Sequence, residues 1–199
     1  MNFLAHALLA GEEPAWRLGG LLGDFVKGPL AACALPADIV AGVALHRAID
    51  DYAERHASYR RSRARVSPAR RRYAGILVDL FYDHLLAASW HEHHAVPLAD
   101  YAQAQYALLA EHSALWPPAS RAAFARMRSE DWLYAYRERD AVARAVDRIA
   151  RHRLRHPNPV AGAIDELAAD PSGFADDCAT FLRDAGAFAY VFRSAAGAR

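Results

Sequence analysis

The chain has 199 residues, 54% of them hydrophobic and 24% charged. That is enough apolar material for one ordinary domain with a proper core, and it excludes a disordered, collagen-like or disulfide-stapled chain. Lys and Arg number 24 against 23 Asp and Glu, and the net charge of +1 gives no whole-chain case for binding nucleic acid.

Taken in order, the chain opens on Met1-Asn2-Phe3-Leu4-Ala5-His6, with no cationic stretch before its apolar run and Glu12-Glu13-Pro14 soon after. A signal peptide is not expected. Gly19-Gly20-Leu21-Leu22-Gly23-Asp24-Phe25-Val26-Lys27-Gly28 reads as a loop or helix end. Leu35-Pro36-Ala37-Asp38 opens a helix whose apolar residues recur at Ile39, Val43, Ala44, Ala48 and Ile49. Ser67-Pro68 supplies an N-cap and a first-turn proline for a helix running toward Trp90. Pro97, Pro117-Pro118, Pro157-Asn158-Pro159 and Pro171-Ser172 punctuate further helical segments, with Pro157 to Pro159 the best hinge candidate. The segment 193–199 is small, polar and expected to fray. β-branched residues are sparse and no segment alternates for long, so the fold class is all-α. The expectation is a single-domain helical bundle over residues 1–199 with about seven to nine helices.

Cys33 and Cys178 are isolated and point to a reducing compartment without a disulfide. No stretch approaches the roughly 20 apolar residues of a membrane span. A cytoplasmic protein is expected.

Several His and Asp residues stand at helical spacing inside apolar helices. His46 and Asp50 are four apart and share one helix face, as do Asp79 and Asp83 on the next helix, with His84 beside Asp83. The second helix is apolar nearly all round, and two carboxylates buried one turn apart are costly unless a cation or basic partner neutralises them. A divalent metal held between facing helices would do so; salt bridges to the many arginines are the plainer alternative for any single Asp. His84 sits round the helix from Asp83 and suits a supporting role. Asp24, with Lys27 three residues on, could hold a metal and a phosphate together, although Gly with Asp is usually a turn. His6 is a further candidate, but a lone histidine on an apolar helix is more often a satisfied core residue. His91, Glu92, His93 and His94 resemble a cluster by composition only, because adjacent residues at a helix end point in different directions. Asp and His without Cys suit Mn²⁺, Mg²⁺ or Fe²⁺ more than structural Zn²⁺, and such a cation suits phosphate-ester hydrolysis.

Residues 55–72 carry eight arginines and no acid: Arg55, Arg60, Arg61, Arg63, Arg65, Arg70, Arg71 and Arg72. This run is either a solvated face or a dock for an anionic partner beside the metal site, with Arg60, Arg61, Arg63 and Arg65 as the candidate contacts. Aromatic interleaving is limited to Tyr59 and Tyr73, so no nucleic acid is expected.

The blocks Asn2-Phe3-Leu4-Ala5-His6, Gly23-Asp24-Phe25-Val26-Lys27-Gly28, His46-Arg47-Ala48-Ile49-Asp50 and Asp79-Leu80-Phe81-Tyr82-Asp83-His84 resemble, in order, the motifs of the acyl carrier protein phosphodiesterase family. Trp132-Leu133-Tyr134-Ala135-Tyr136-Arg137-Glu138-Arg139-Asp140 is similar to that family's C-terminal half, and the likeness weakens beyond Asp140. Gly23 and Lys27 stand where the pattern would lead one to expect Ala and Arg; Lys27 keeps the charge and loses the bidentate fork. The resemblance implies an HD-like helical fold with rearranged motif order. It also implies removal of 4′-phosphopantetheine from the serine of holo-acyl carrier protein, with Mn²⁺ as cation. On that reading Asp24, His46, Asp50, Asp79 and Asp83 hold the metal, and Lys27 and Arg47 offset phosphate charge. His6 or His84 protonates the leaving serine oxygen, and the arginine run docks the acidic carrier. An HD-type phosphohydrolase acting on a nucleotide or other small phosphodiester is the alternative.

Overall fold

A computed structural model describes residues 2–197. Among them 77% are helical and none is in a strand. Eleven α-helices are formed by the described residues, nine of seven residues or more. They are α1 (Phe3–Leu9), α2 (Pro14–Leu22), α3 (Ala37–Arg55), α4 (Ala57–Arg65), α5 (Ala74–Ala88), α6 (Leu98–Glu111), α7 (Arg121–Ser129), α8 (Trp132–Ala135), α9 (Arg139–His152), α10 (Ile164–Ala169) and α11 (Pro171–Gly197). The all-α expectation holds, and no helix among the described residues is long and apolar enough to cross a membrane.

The prolines punctuate as expected. Pro14 opens α2 and Pro171 opens α11, where a missing N–H costs nothing. Asp170 accepts the Gly173 N–H at 3.0 Å and so caps α11. Ser67-Pro68 behaves differently. Helix α5 begins only at Ala74, after a turn of 3₁₀ helix at Arg71–Tyr73. The reason is that Ser67 is held elsewhere: its N–H and hydroxyl donate to the two Glu166 oxygens at 2.9 and 2.5 Å. The segment after Phe192, expected to fray, continues α11 through Gly197, and Arg193 donates to the Leu9 carbonyl. Ala198 and Arg199 lie outside the described residues.

Helix α5 is the central element, with Leu77, Val78, Leu80, Phe81, Tyr82 and Leu86 all buried. Helix α11 lies along it and presents Phe174, Cys178, Phe181, Ala185 and Ala189 at spacings of three and four. Phe81 meets Phe174 edge-on at 5.4 Å, and Tyr82 meets Phe181 at 5.6 Å. Cys178 is buried and Cys33 half-buried, and both thiols are free.

Helices α2 and α3 touch backbone to backbone. A Cβ on Gly19 would lie 2.4 Å from the Ile39 carbonyl oxygen and 2.6 Å from the Gly42 Cα. Only glycine permits that approach. It brings the C-terminal end of α2 against the middle of α3, where His46 lies.

Candidate active site

Three segments converge on one cluster. Helix α1 contributes His6, the 3₁₀ turn after α2 contributes Asp24, and α3 contributes His46 and Asp50 one turn apart. His6 Nε2 lies 3.1 Å from Asp50 Oδ1. His46 Nε2 lies 3.3 Å from Asp50 Oδ2 and 3.8 Å from Asp24 Oδ1. The two imidazole rings stack at 3.7 Å. Gly23 makes this possible, because a Cβ there would fall 2.2 Å from His46 Cγ.

Both histidines are buried, whereas the Asp50 side chain is 54% exposed and opens the cluster to solvent. Burial, then the neighbouring His46, push the His6 pKa down, and this outweighs the opposing pull of Asp50. Burial alone would push the Asp50 carboxyl up; the two imidazoles beside it, His46 and then His6, overcome this and hold the group well below the usual carboxylate range.

His46 Nδ1 donates to the Gly20 carbonyl at 2.8 Å, which leaves the bare Nε2 lone pair facing two carboxylates. Such a grouping is repulsive unless a proton or a cation lies among the donors. His6 Nδ1 is buried without a hydrogen-bond partner, so the cluster itself decides which of its nitrogens carries the proton. Ligand atoms of His6, His46 and Asp50 all lie within 4.8 Å of one another, and the set fits a divalent cation. Two imidazoles and carboxylates without thiolate form a donor set suited to a divalent cation of the harder, oxygen- and nitrogen-preferring kind.

The cluster opens into two adjoining cavities. One, of about 270 Å³, is lined by Asp24, Asp50, Asp51, Glu54 and Asp79, with Asn2 and Tyr59. Five carboxylates around one space favour a cation there. Asp79 accepts a hydrogen bond from Tyr59 at 2.8 Å, and burial beside that carboxylate raises the Tyr59 pKa. The second cavity, of about 280 Å³, adds Lys27 and Arg47 to Asp24, His46 and Asp50.

Other candidates lie elsewhere. Asp83 is buried and accepts the Leu4 and Ala5 N–H groups at 3.0 and 2.9 Å. It caps α1 from α5, and its oxygens are spent on that helix rather than turned to the cluster. Burial pushes its pKa up to about 7 against the pull of these two bonds. His84 Nδ1 donates to the Tyr136 carbonyl at 2.7 Å and fastens α5 to the end of α8. Arg47 donates to the Val26 and Gly28 carbonyls at 2.8 and 2.9 Å, so it holds the loop that presents Lys27. Among the arginines, Arg61 pairs with Asp177 at 2.7 Å, and Arg65 pairs with Asp170 and Asp177 at 3.0 and 3.2 Å. Both brace α4 against α11. Arg63 pairs with Glu54 at the rim of the acidic cavity. Arg60 is exposed and makes no ion pair among the described residues. The histidine-rich stretch is dispersed: His93 contacts Ser89 at 3.2 Å and His94 contacts Glu12 at 3.6 Å.

Asp51 and Glu54 are not among the sequence candidates, and Tyr59 enters there only as an aromatic of the arginine run. Glu54 stands four residues beyond Asp50, a spacing that continues the His46–Asp50 face along α3 and could have found it; Asp51 lies round the helix and carries no such signal.

The family model described as acyl carrier protein phosphodiesterase matches residues 1–185. This chain belongs to the acyl carrier protein phosphodiesterase family. The match runs well past Asp140, where the motif resemblance fades. The acyl carrier protein phosphodiesterase of Enterobacter sp. (strain 638) is 35% identical over 159 residues, covering 78% of this chain and 80% of that protein. Those of Serratia proteamaculans (strain 568) and Yersinia pestis are each 33% identical over 156 residues, covering 78% and 77% of this chain and 80% and 79% of theirs. No solved structure matches the chain. For this phosphodiesterase family, the cluster of His6, Asp24, His46 and Asp50 draws on three of the four ordered N-terminal motif blocks.

Proposed function

We propose that this protein cleaves the phosphodiester joining phosphopantetheine to the serine of holo-acyl carrier protein, at a divalent cation held by His6, Asp24, His46 and Asp50. The observation that carries the reading is the convergence of His6, His46 and Asp50 within 4.8 Å, open to solvent on the Asp50 side. Bound there, Mn²⁺ or a similar cation supplies charge for the phosphoryl oxygens and an acidified water.

The chain's own residues do the rest. Gly20 fixes the His46 tautomer, so its Nε2 reaches the cluster without a proton. Arg47 pins the loop whose Lys27 ammonium faces the same cavity and offsets charge on the non-bridging oxygens. Asp79 and Tyr59 line the acidic side of the space and hold one another. His6 completes the donor set rather than moving a proton, because its ring is buried with Nε2 turned to Asp50.

For the carrier, the reading narrows the arginine dock. Arg61 and Arg65 are engaged with α11, so Arg60 and Lys27 are the cations offered to an acidic partner. Incubation of holo-acyl carrier protein with the folded enzyme and Mn²⁺, followed by mass spectrometry of the carrier, tests this. Loss of the phosphopantetheine mass is expected; persistence of holo carrier with and without Mn²⁺ contradicts the proposal.

A further inference from the structure

The cavity holding the cluster shares Val26 and Lys27 with an adjoining groove of about 360 Å³. That volume lies within the roughly 300–1,000 Å³ of small-molecule sites. Its other walls are apolar, chiefly Phe25, Leu35, Leu115 and Trp116. Trp116 is half-buried, and the part of its side chain left open lines the groove.

We infer that this groove seats the phosphopantetheine arm during cleavage, with the phosphate at the cluster and the arm running past Lys27 to Trp116. The inference rests on the function proposed above. Its chemistry is graded in the required order. The arm begins at an anionic phosphate, continues through a gem-dimethyl carbon, and then alternates amides with methylenes. The surface begins at imidazoles and carboxylates suited to a cation, passes a lysine ammonium, and continues over aromatic and leucine side chains. Trp116 and Leu115 give that wall the apolar surface against which the arm's methylenes would lie. A segment of the carrier's own polypeptide is the competing occupant; the continuity with the polar cavity that holds Lys27 and the cluster favours the arm.

The test is equilibrium binding, without turnover, of free phosphopantetheine, inorganic phosphate and apo-acyl carrier protein to the full chain. Leu115→Arg places a charge in the groove, and Trp116→Phe keeps an aromatic side chain while trimming the apolar wall. Free phosphopantetheine should bind about tenfold more weakly to Leu115→Arg, and measurably more weakly to Trp116→Phe. Inorganic phosphate and apo carrier should bind both variants as they bind the wild type. Trp116→Phe is the milder change and keeps the test decisive should Leu115→Arg fail to fold. Equal weakening of apo carrier would give the groove to the polypeptide and overturn the inference. Phosphopantetheine binding that ignores both substitutions, or no saturable binding to wild type, would overturn it as well. The two claims separate cleanly. A wild type that cleaves holo carrier but binds the arm without the groove overturns this inference alone. A wild type that binds the arm in the groove yet leaves holo carrier intact overturns the proposed function alone.

Discussion

His46 donates its Nδ1–H to the Gly20 carbonyl at 2.8 Å, and this one bond turns the other ring nitrogen toward Asp24 and Asp50. The tautomer of the His46 ring is therefore set by the backbone of the neighbouring helix. The contact exists because α2 and α3 are packed at glycine distance, so a feature of the core decides a feature of the site.

Gly23→Ala tests that coupling. The added Cβ would fall 2.2 Å from His46 Cγ, and the ring has α2 behind it. The expected cost is about 1–3 kcal/mol of stability, as for other overpacked sites, together with weaker Mn²⁺ binding. Denaturant unfolding and metal titration of the variant check this; full metal affinity would show that the ring has room to move.

Asp50→Asn should weaken divalent-cation binding by about 100-fold or more, since it removes the carboxylate that faces both histidines. The side chain is half exposed, so the fold should tolerate the change. Asp79→Asn lies across the acidic cavity and should reduce affinity less. Calorimetric titration with Mn²⁺ ranks the two, and the reverse order would move the centre of the site toward Asp79.

The histidine and aspartate pair on α3 was legible in the sequence because both residues sit on one helix, where a spacing of four defines a shared face. The pairing of Asp79 with Asp83 followed the same logic and led to a different outcome. Asp83 is taken by the open N-terminus of α1, and no periodicity within α5 announces which helix end will reach it. His6 was undervalued for the same reason: alone on an apolar helix, it gains its partners only when α1 docks beside α3. The arginine run read as a free cationic surface because the acids that engage it are distant in sequence; Arg61 meets Asp177 across 116 positions.

Asp83 supplies a pH signature. Its folded pKa of about 7 lies above the usual value of 3.8, so the folded state binds the extra proton between them. Its contribution is fully present at low pH and is lost as pH rises toward 7. The stability of wild type relative to Asp83→Asn should therefore decline across that interval, by at most about 1.4 kcal/mol per pH unit, and level off above it. Unfolding midpoints of both proteins at several pH values read this directly. A difference independent of pH would mean that Asp83 does not titrate in this range.

Arg65→Ala and Arg60→Ala should part company. Asp177 is buried, and losing Arg65 leaves it with Arg61 and Ser62 alone, at an expected cost of about 1–3 kcal/mol. Arg60 touches no acid among the described residues, so its removal should leave stability unchanged and raise KM for an acidic carrier, with weaker dependence on salt. Thermal melts and carrier-concentration series at two ionic strengths separate the roles.

The most direct test of the central claim is the mass of holo-acyl carrier protein after incubation with wild type and with Asp50→Asn, each with and without Mn²⁺. Wild type with Mn²⁺ should convert holo carrier to the apo form, and folded Asp50→Asn should leave it intact under both conditions. Conversion by Asp50→Asn at the wild-type rate would contradict a metal centre built on His6, Asp24, His46 and Asp50.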